Sequence, residues 1–253
     1  MAILEVNNLC KSFYGTKVNN NICFSIPEGT VSSVIGPNGA GKTTLFNLIT
    51  GYLKPDAGHV YLEGKDIAGM EPHKIVRAGI SRTFQLVRVF KRISVLENVL
   101  RGYQDLPGDT FLSALLQTSA TRKQFAQKRE EARAMIDYVG LSQYENQMAN
   151  DLSYGQQKLV EIARALATNP KVLMLDEPLS GLNVVMIDKM LRLIDDIKSS
   201  GRTVIVIEHN TDVIKSISDQ VTVLNFGEVI ASGSPEAVYS DPVVVNSYLG
   251  INK

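Results

Sequence analysis

The run Gly36-Pro37-Asn38-Gly39-Ala40-Gly41-Lys42-Thr43 has the residue types and spacing of a phosphate cradle. Gly36, Gly39 and Gly41 permit backbone angles closed to residues with a Cβ, so successive N–H groups can turn toward phosphate oxygens at a helix N-terminus. Lys42 can reach β- and γ-phosphates, the Thr43 hydroxyl can ligate Mg²⁺, and Thr44 follows as a further candidate contact. A carboxylate pair, Asp176-Glu177, closes the apolar segment Val172-Leu173-Met174-Leu175. Asp176 is placed to hold the metal through water, and Glu177 to polarise an attacking water as a general base. His209 follows another apolar segment, 203–207, and Glu208. It can steady charge developing on a terminal phosphate, or it can be an ordinary surface or core residue; the spacing leaves both open. His59 and His73 have no such context and read as structural. The sequence offers no metal-ligand cluster and no nucleophilic triad.

Positioning these groups takes buried strands that end at the site and helices that leave it. Short apolar runs at 31–35, 172–175, 203–207 and 221–224 have the character of strands covered on both faces. Between them lie stretches of helical period: Leu45, Leu48, Ile49 and Tyr52; Leu159, Ile162, Ala163 and Leu166; Ile187, Met190, Leu191 and Ile194. Strands alternating with helices predict an α/β fold with a mainly parallel sheet. Residues 2–30 and 58–67 read instead as short strands with turns, an antiparallel flap beside that sheet. Residues 87–150 are polar and helical, with Phe125, Ala132, Met135, Ile136 and Val139 on one face of a helix near 122–139; they read as a helical subdomain inserted into the core. The stretch 103–121 is the expected loop.

The 253 residues can bury a large core without staples. Lysine plus arginine number 26, equal to aspartate plus glutamate, which argues against a dedicated nucleic-acid binder. Cys10 and Cys23 lack metal-like spacing and are expected to be buried, reduced thiols. The N-terminus has no signal-peptide character, and no apolar run is long enough to cross a bilayer. The chain is therefore expected to be soluble by itself and to stay where it is made.

Leu152-Ser153-Tyr154-Gly155-Gln156-Gln157 reads alone as a capped helix start. In the order 36–43, Gln85, 152–157, 172–177 and His209, however, the chain resembles the ATP-binding-cassette (ABC) ATPases over essentially its whole length. The resemblance implies one nucleotide-binding domain spanning 1–253, with ATP and Mg²⁺ as ligands and ATP hydrolysis as the reaction. It implies that two cassettes, identical or sister chains, pair head to tail, so that Ser153 and Gly155 of one face the γ-phosphate held by Lys42 of the other. Gln85 is similar to the glutamine that touches Mg²⁺ or the attacking water. Phe13 aligns with the aromatic that stacks on adenine, and Tyr14 is an adjacent alternative. Asn183 stands where many cassettes carry aspartate. That feature, with Arg82-Thr83-Phe84-Gln85, residues 95–99, Tyr154, Ile207-Glu208-His209, the insertion around 101–125 and Ser247-Tyr248-Leu249-Gly250, resembles the subgroup serving importers of branched-chain amino acids and related solutes. The likeness implies transmembrane permease subunits as partners, a solute-binding protein as an indirect one, no nucleic acid, and a peripheral place on the cytoplasmic membrane face. A soluble cassette acting on nucleic acid or ribosomes is the alternative. It is disfavoured because no sustained heptads separate the phosphate loop from residues 152–157 and the chain holds one cassette.

Overall fold

The computed structural model describes residues 1–104 and 119–249. Strands β1 (Ala2–Phe13) and β2 (Thr16–Pro27) form a long antiparallel hairpin, and β4 (Ala57–Leu62) with the short β5 (Lys65–Asp66) extend it, giving the order β2-β1-β4-β5. The main sheet has six strands in the order β10-β9-β3-β8-β7-β6: Glu228–Gly233, Gln220–Asn225, Val31–Ile35, Thr203–Ile207, Val172–Asp176 and Ile80–Arg82. All neighbouring pairs in it are parallel except β9 with β10. The expected parallel core and antiparallel flap are therefore present. Two further strands carry no clear signal in the sequence. β6 is only three residues long, and β10 is half-exposed and lacks the apolar run of its neighbours.

Alternation along β7 and β8 sends their side chains into two separate parts of the core. Leu173, Leu175, Val204 and Val206 face one side, packing with α3 (Val95–Leu100), α5 (Tyr154–Ala167) and α6 (Val184–Ser199). Val172, Met174, Ile205 and Ile207 face the other, packing with α1 (Lys42–Ile49) and the flap. Each strand is buried at every position, and so reads as a continuous apolar run. Helices α2 (Pro72–Ala78), α4 (Ser119–Tyr138), α7 (Thr211–Ile217) and α8 (Pro235–Ser240) complete the frame. Among the described residues, the region expected as an inserted subdomain holds α3, α4 and the 3₁₀ turns Ser142–Tyr144 and Ala149–Asp151, and α3 packs on both α4 and α5.

Several single residues depart from expectation. Tyr52 lies beyond the end of α1 and is exposed, because the helix stops at Ile49 and Gly51 turns the chain away. Phe125 is exposed, while Ala132, Ile136 and Val139 on the same helix face are buried. Cys23 is exposed and Cys10 half-buried, both as free thiols. Cys23 falls on the outward phase of β2, between buried Ile22 and Phe24, so the alternation that buries its neighbours turns it to solvent. The loop expected at 103–121 lies largely outside the described residues.

Because Leu173 and Ile205 sit fully buried on opposite faces of one sheet, truncating either should leave a cavity. Leu173→Ala and Ile205→Ala are each expected to destabilise the fold by about 2–5 kcal/mol, read from denaturant midpoints. A change well under that range in either would mean the face it occupies is not close-packed.

Candidate functional site

The phosphate loop joins β3 to α1 and is braced from below. Gly36 has φ 150°, and a Cβ there would lie 2.0 Å from the Leu224 carbonyl oxygen on β9. Gly41, at φ 95°, has Val18 O and Asn19 Nδ2 at 2.6 and 2.7 Å from its missing Cβ. Asn19, itself buried, donates to the Gly41 carbonyl, and Ala40 N–H closes a turn on Pro37 O. Asn38 and Gly39 at the tip are exposed, as is Thr43 at the helix start, whereas Ala40 and Gly41 are buried and Pro37 and Thr44 half-buried. Lys42 is 7% exposed, and its Nζ donates to Gly36 O and Pro37 O at 2.8 and 2.9 Å. Burial lowers its pKa, while the charges of Glu177 and Asp176 pull it back up. The lysine thus spans the loop, with acceptors that an incoming phosphate can replace.

Glu177 is where the candidate residues converge. Parallel pairing of β7 with β8 sets the ends of both strands side by side, and Glu177 N–H donates to Ile207 O at 3.0 Å. The residue then turns into the left-handed region at φ 49°, where a side chain with a Cβ is strained. Its carboxylate is held from two sides: Gln85 Nε2 donates to Oε2 at 2.9 Å, and His209 Nε2 lies 2.7 Å from Oε1. Three of the sequence candidates therefore meet at one carboxylate, carried there by the segments after β6, β7 and β8. His209 stands on Glu177; His59 and His73 lie at the exposed surface beside Asp66 and Glu71.

Asp176 ends β7, 3% exposed, and its Oδ2 accepts Arg82 Nη2 at 2.6 Å. Arg82 was not singled out as a site residue. Its other Nη donates to Asn47 Oδ1 at 2.6 Å, and its guanidinium lies 5.4 and 5.1 Å from the Phe46 and Phe84 ring centroids. No strand is legible around Arg82, so nothing in the sequence marks it as a charge buried beside an anion. Lys158, Glu161 and Glu208 are further buried charges around the same point. Glu161 accepts Phe84 N–H at 3.3 Å and so ties α5 to the segment that carries Gln85. Burial raises the Glu161 and Glu208 pKa values and lowers that of Lys158.

Ser153 is the N-cap of α5. Its hydroxyl accepts Gln156 N–H, and Gln156 Oε1 accepts its N–H, forming a capping box. The hydroxyl is exposed and keeps its proton for another acceptor. A Cβ on Gly155 would meet Met186 Cγ at 2.8 Å, so glycine is needed there for packing against α6. Asn183, in place of an aspartate, caps α6 through Met186 N–H at 2.9 Å. Phe13, 37% exposed, ends β1 with Lys11 Nζ 5.7 Å from its ring; Tyr14 is fully exposed in the following turn. A separate cavity of about 430 Å³ lies away from the phosphate loop, lined by Tyr52, Arg82, Phe84, Tyr103, Glu161 and Arg164 among others.

A parallel sheet with a glycine-lysine loop after one strand and a carboxylate pair after another defines a nucleotide-binding P-loop protein. The ABC transporter family model matches residues 19–180. The high-affinity branched-chain amino acid transport ATP-binding protein BraF of Pseudomonas aeruginosa is 42% identical over 249 residues, 98% of each chain. The probable branched-chain amino acid transport ATP-binding protein LivG of Methanocaldococcus jannaschii is 39% identical over 254 residues, 99% of this chain and 98% of its own. The crystal structure of a nucleotide-free ATP-binding cassette from an ABC transporter superposes with a TM-score of 0.85 at 38% identity, covering 98% of this chain and 99% of that one. The ADP conformation of an ABC-transporter cassette gives 0.85 at 39%, covering 99% of both. The chain belongs to the ABC transporter family and is an ATPase cassette of it.

The Arg82–Asp176 pair is 4% and 3% exposed, so removing one partner strands a buried charge. Arg82→Met is expected to cost about 3–5 kcal/mol in chemical denaturation. A cost below about 1 kcal/mol, the range of exposed pairs, would contradict the buried geometry.

Proposed function

We propose that this chain is the energy-coupling cassette of an importer for branched-chain amino acids or related small polar solutes. The observation that carries its hydrolytic part is the Glu177 carboxylate held between Gln85 and His209. The transported class rests on the relatives' names, together with near-complete mutual coverage.

In this reading Lys42 exchanges its loop carbonyls for β- and γ-phosphate oxygens of ATP, joined by the N–H groups of 36–44, and Phe13 stacks on the adenine. The oxygen donors fit Mg²⁺: Thr43 presents an exposed hydroxyl and Asp176 a carboxylate oriented by Arg82. Among the described residues no cluster of three or more His, Cys, Asp or Glu could cage a metal alone. Thr43 and Asp176 would hold the ion, which would supply charge neutralisation at the phosphates. Glu177 accepts the proton of the attacking water; Gln85 and His209 orient that carboxylate and the water beside it. Ser153 and Gly155 face the nucleotide of a second cassette, same or sister chain.

In this reading α3 and α4 belong to the arm that moves with Gln85. The 430 Å³ cavity, walled by Phe84 and Arg164 at the foot of that arm, is the proposed seat for a cytoplasmic segment of a permease subunit. Among the described residues no helix is long and apolar enough to cross a membrane, so attachment at the cytoplasmic membrane face would come through such partners.

Glu177→Gln is expected to lower ATP turnover by about 10²–10⁴-fold while leaving ATP affinity within a few-fold, measured by phosphate release and nucleotide titration. Turnover near the wild-type rate would contradict the assignment of the base. Purification of the tagged chain from gently solubilised native membranes should recover multi-span proteins and a second cassette. Proteoliposomes holding that complex should take up labelled branched-chain amino acids with ATP; recovery of ribosomes or nucleic acid alone would contradict the importer reading.

A further inference from the structure

Lys158 lies on α5, the helix that Ser153 caps, yet its contacts are with the turn after β7. Its side chain is buried, 4% exposed, and Nζ donates to the carbonyl oxygens of Glu177 and Pro178 at 2.8 and 3.1 Å. The same ammonium stands 5.3 Å from the ring centroid of Tyr154, within the 152–157 motif. On the far side of the turn, buried Glu208 accepts Leu179 N–H at 2.8 Å and His209 N–H at 3.3 Å. The backbone of residues 177–179 is thus gripped at its carbonyls by a cation and at an N–H by an anion. Neither group belongs to the set that meets at the Glu177 carboxylate.

The grip has something to hold. Glu177 is a non-glycine residue at φ 49°, a conformation that persists only where the surroundings over-determine it. Relaxing that angle would swing the side chain away from Gln85 and His209. Burial alone would drive Lys158 toward neutrality; the carboxylates of Glu208, Glu161, Glu177 and Asp176 oppose this.

We infer that Lys158 is a positioning residue for hydrolysis: it fixes the strained Glu177 backbone so that the carboxylate points at the attacking water, and it ties that backbone to the helix carrying the 152–157 motif. The inference rests on the reading of Glu177 as the base. The hydrogen bonds of the lysine go to the backbone after β7 and not to the phosphate loop, so its loss should act on turnover and leave ATP binding alone.

The test compares Lys158→Met, which keeps the aliphatic stem, with Lys158→Gln, which keeps an uncharged donor. Steady-state kinetics, ATP titration and thermal unfolding are measured on each, with Glu177→Gln alongside. Lys158→Met is expected to lower kcat by about tenfold or more with ATP affinity within about twofold, and Lys158→Gln to fall between it and wild type. If Lys158→Met does not fold, the same split in Lys158→Gln carries the test. Wild-type kcat in a folded variant, or a loss of ATP affinity matching the loss of kcat, would overturn the proposal and leave Lys158 a purely structural residue. Wild-type turnover in Glu177→Gln would instead remove the base on which the proposal rests.

Discussion

The site depends on one carboxylate held in a backbone conformation that it would not adopt alone. Glu177 sits where β7 leaves the sheet, at a left-handed φ, with Gln85 and His209 on its two oxygens and Lys158 on its carbonyl. These contacts come from the segments after β6 and β8 and from α5. Parallel pairing makes this convergence possible, because strands running the same way deliver their C-terminal residues to one edge of the sheet. The phosphate loop leaves the same edge after β3. Its lysine feels the charges of both Glu177 and Asp176 across the gap.

Around that point the interior is unusually ionic. Arg82, Asp176, Lys158, Glu161 and Glu208 are all buried, and each has a partner of opposite charge or a backbone group. Such groups contribute little net stability, since the cost of removing them from water offsets most of the attraction. They do fix geometry. Arg82 illustrates the arrangement, touching the Asp176 carboxylate and Asn47 while also lining the 430 Å³ cavity. Glu161 does the same for the backbone at Phe84, next to Gln85. The wall of the cavity and the candidate site are therefore joined by hydrogen bonds through Arg82–Asp176 and Glu161–Phe84, which suits the proposed coupling of an event in one to an event in the other.

Much of this was legible in the sequence. The central strands were visible because burial on both faces leaves an unbroken apolar run, and the phosphate loop because its glycines answer to close backbone contacts at Gly36 and Gly41. β6 was not visible: three residues carry too little pattern, and one of them is an arginine. Lys158 and Glu161 read as the polar face of an amphipathic helix, since period alone does not say whether a charged position meets solvent or a buried partner. His209 follows a strand, as the sequence indicates, and its contact is with the Glu177 carboxylate, a pairing between residues distant in sequence. Cys23 faces solvent because apolar neighbours at alternate positions bury themselves and expose what lies between.

Gln85 and His209 both contact the Glu177 carboxylate, and a double-mutant cycle on kcat tests whether they act through it. Gln85→Ala, His209→Ala and the double variant would be assayed at saturating ATP. Residues working through one shared group are non-additive, so the double variant should lose little more than the more damaging single variant. Losses that multiply, as for two groups acting independently on the phosphates or the water, would contradict the claim.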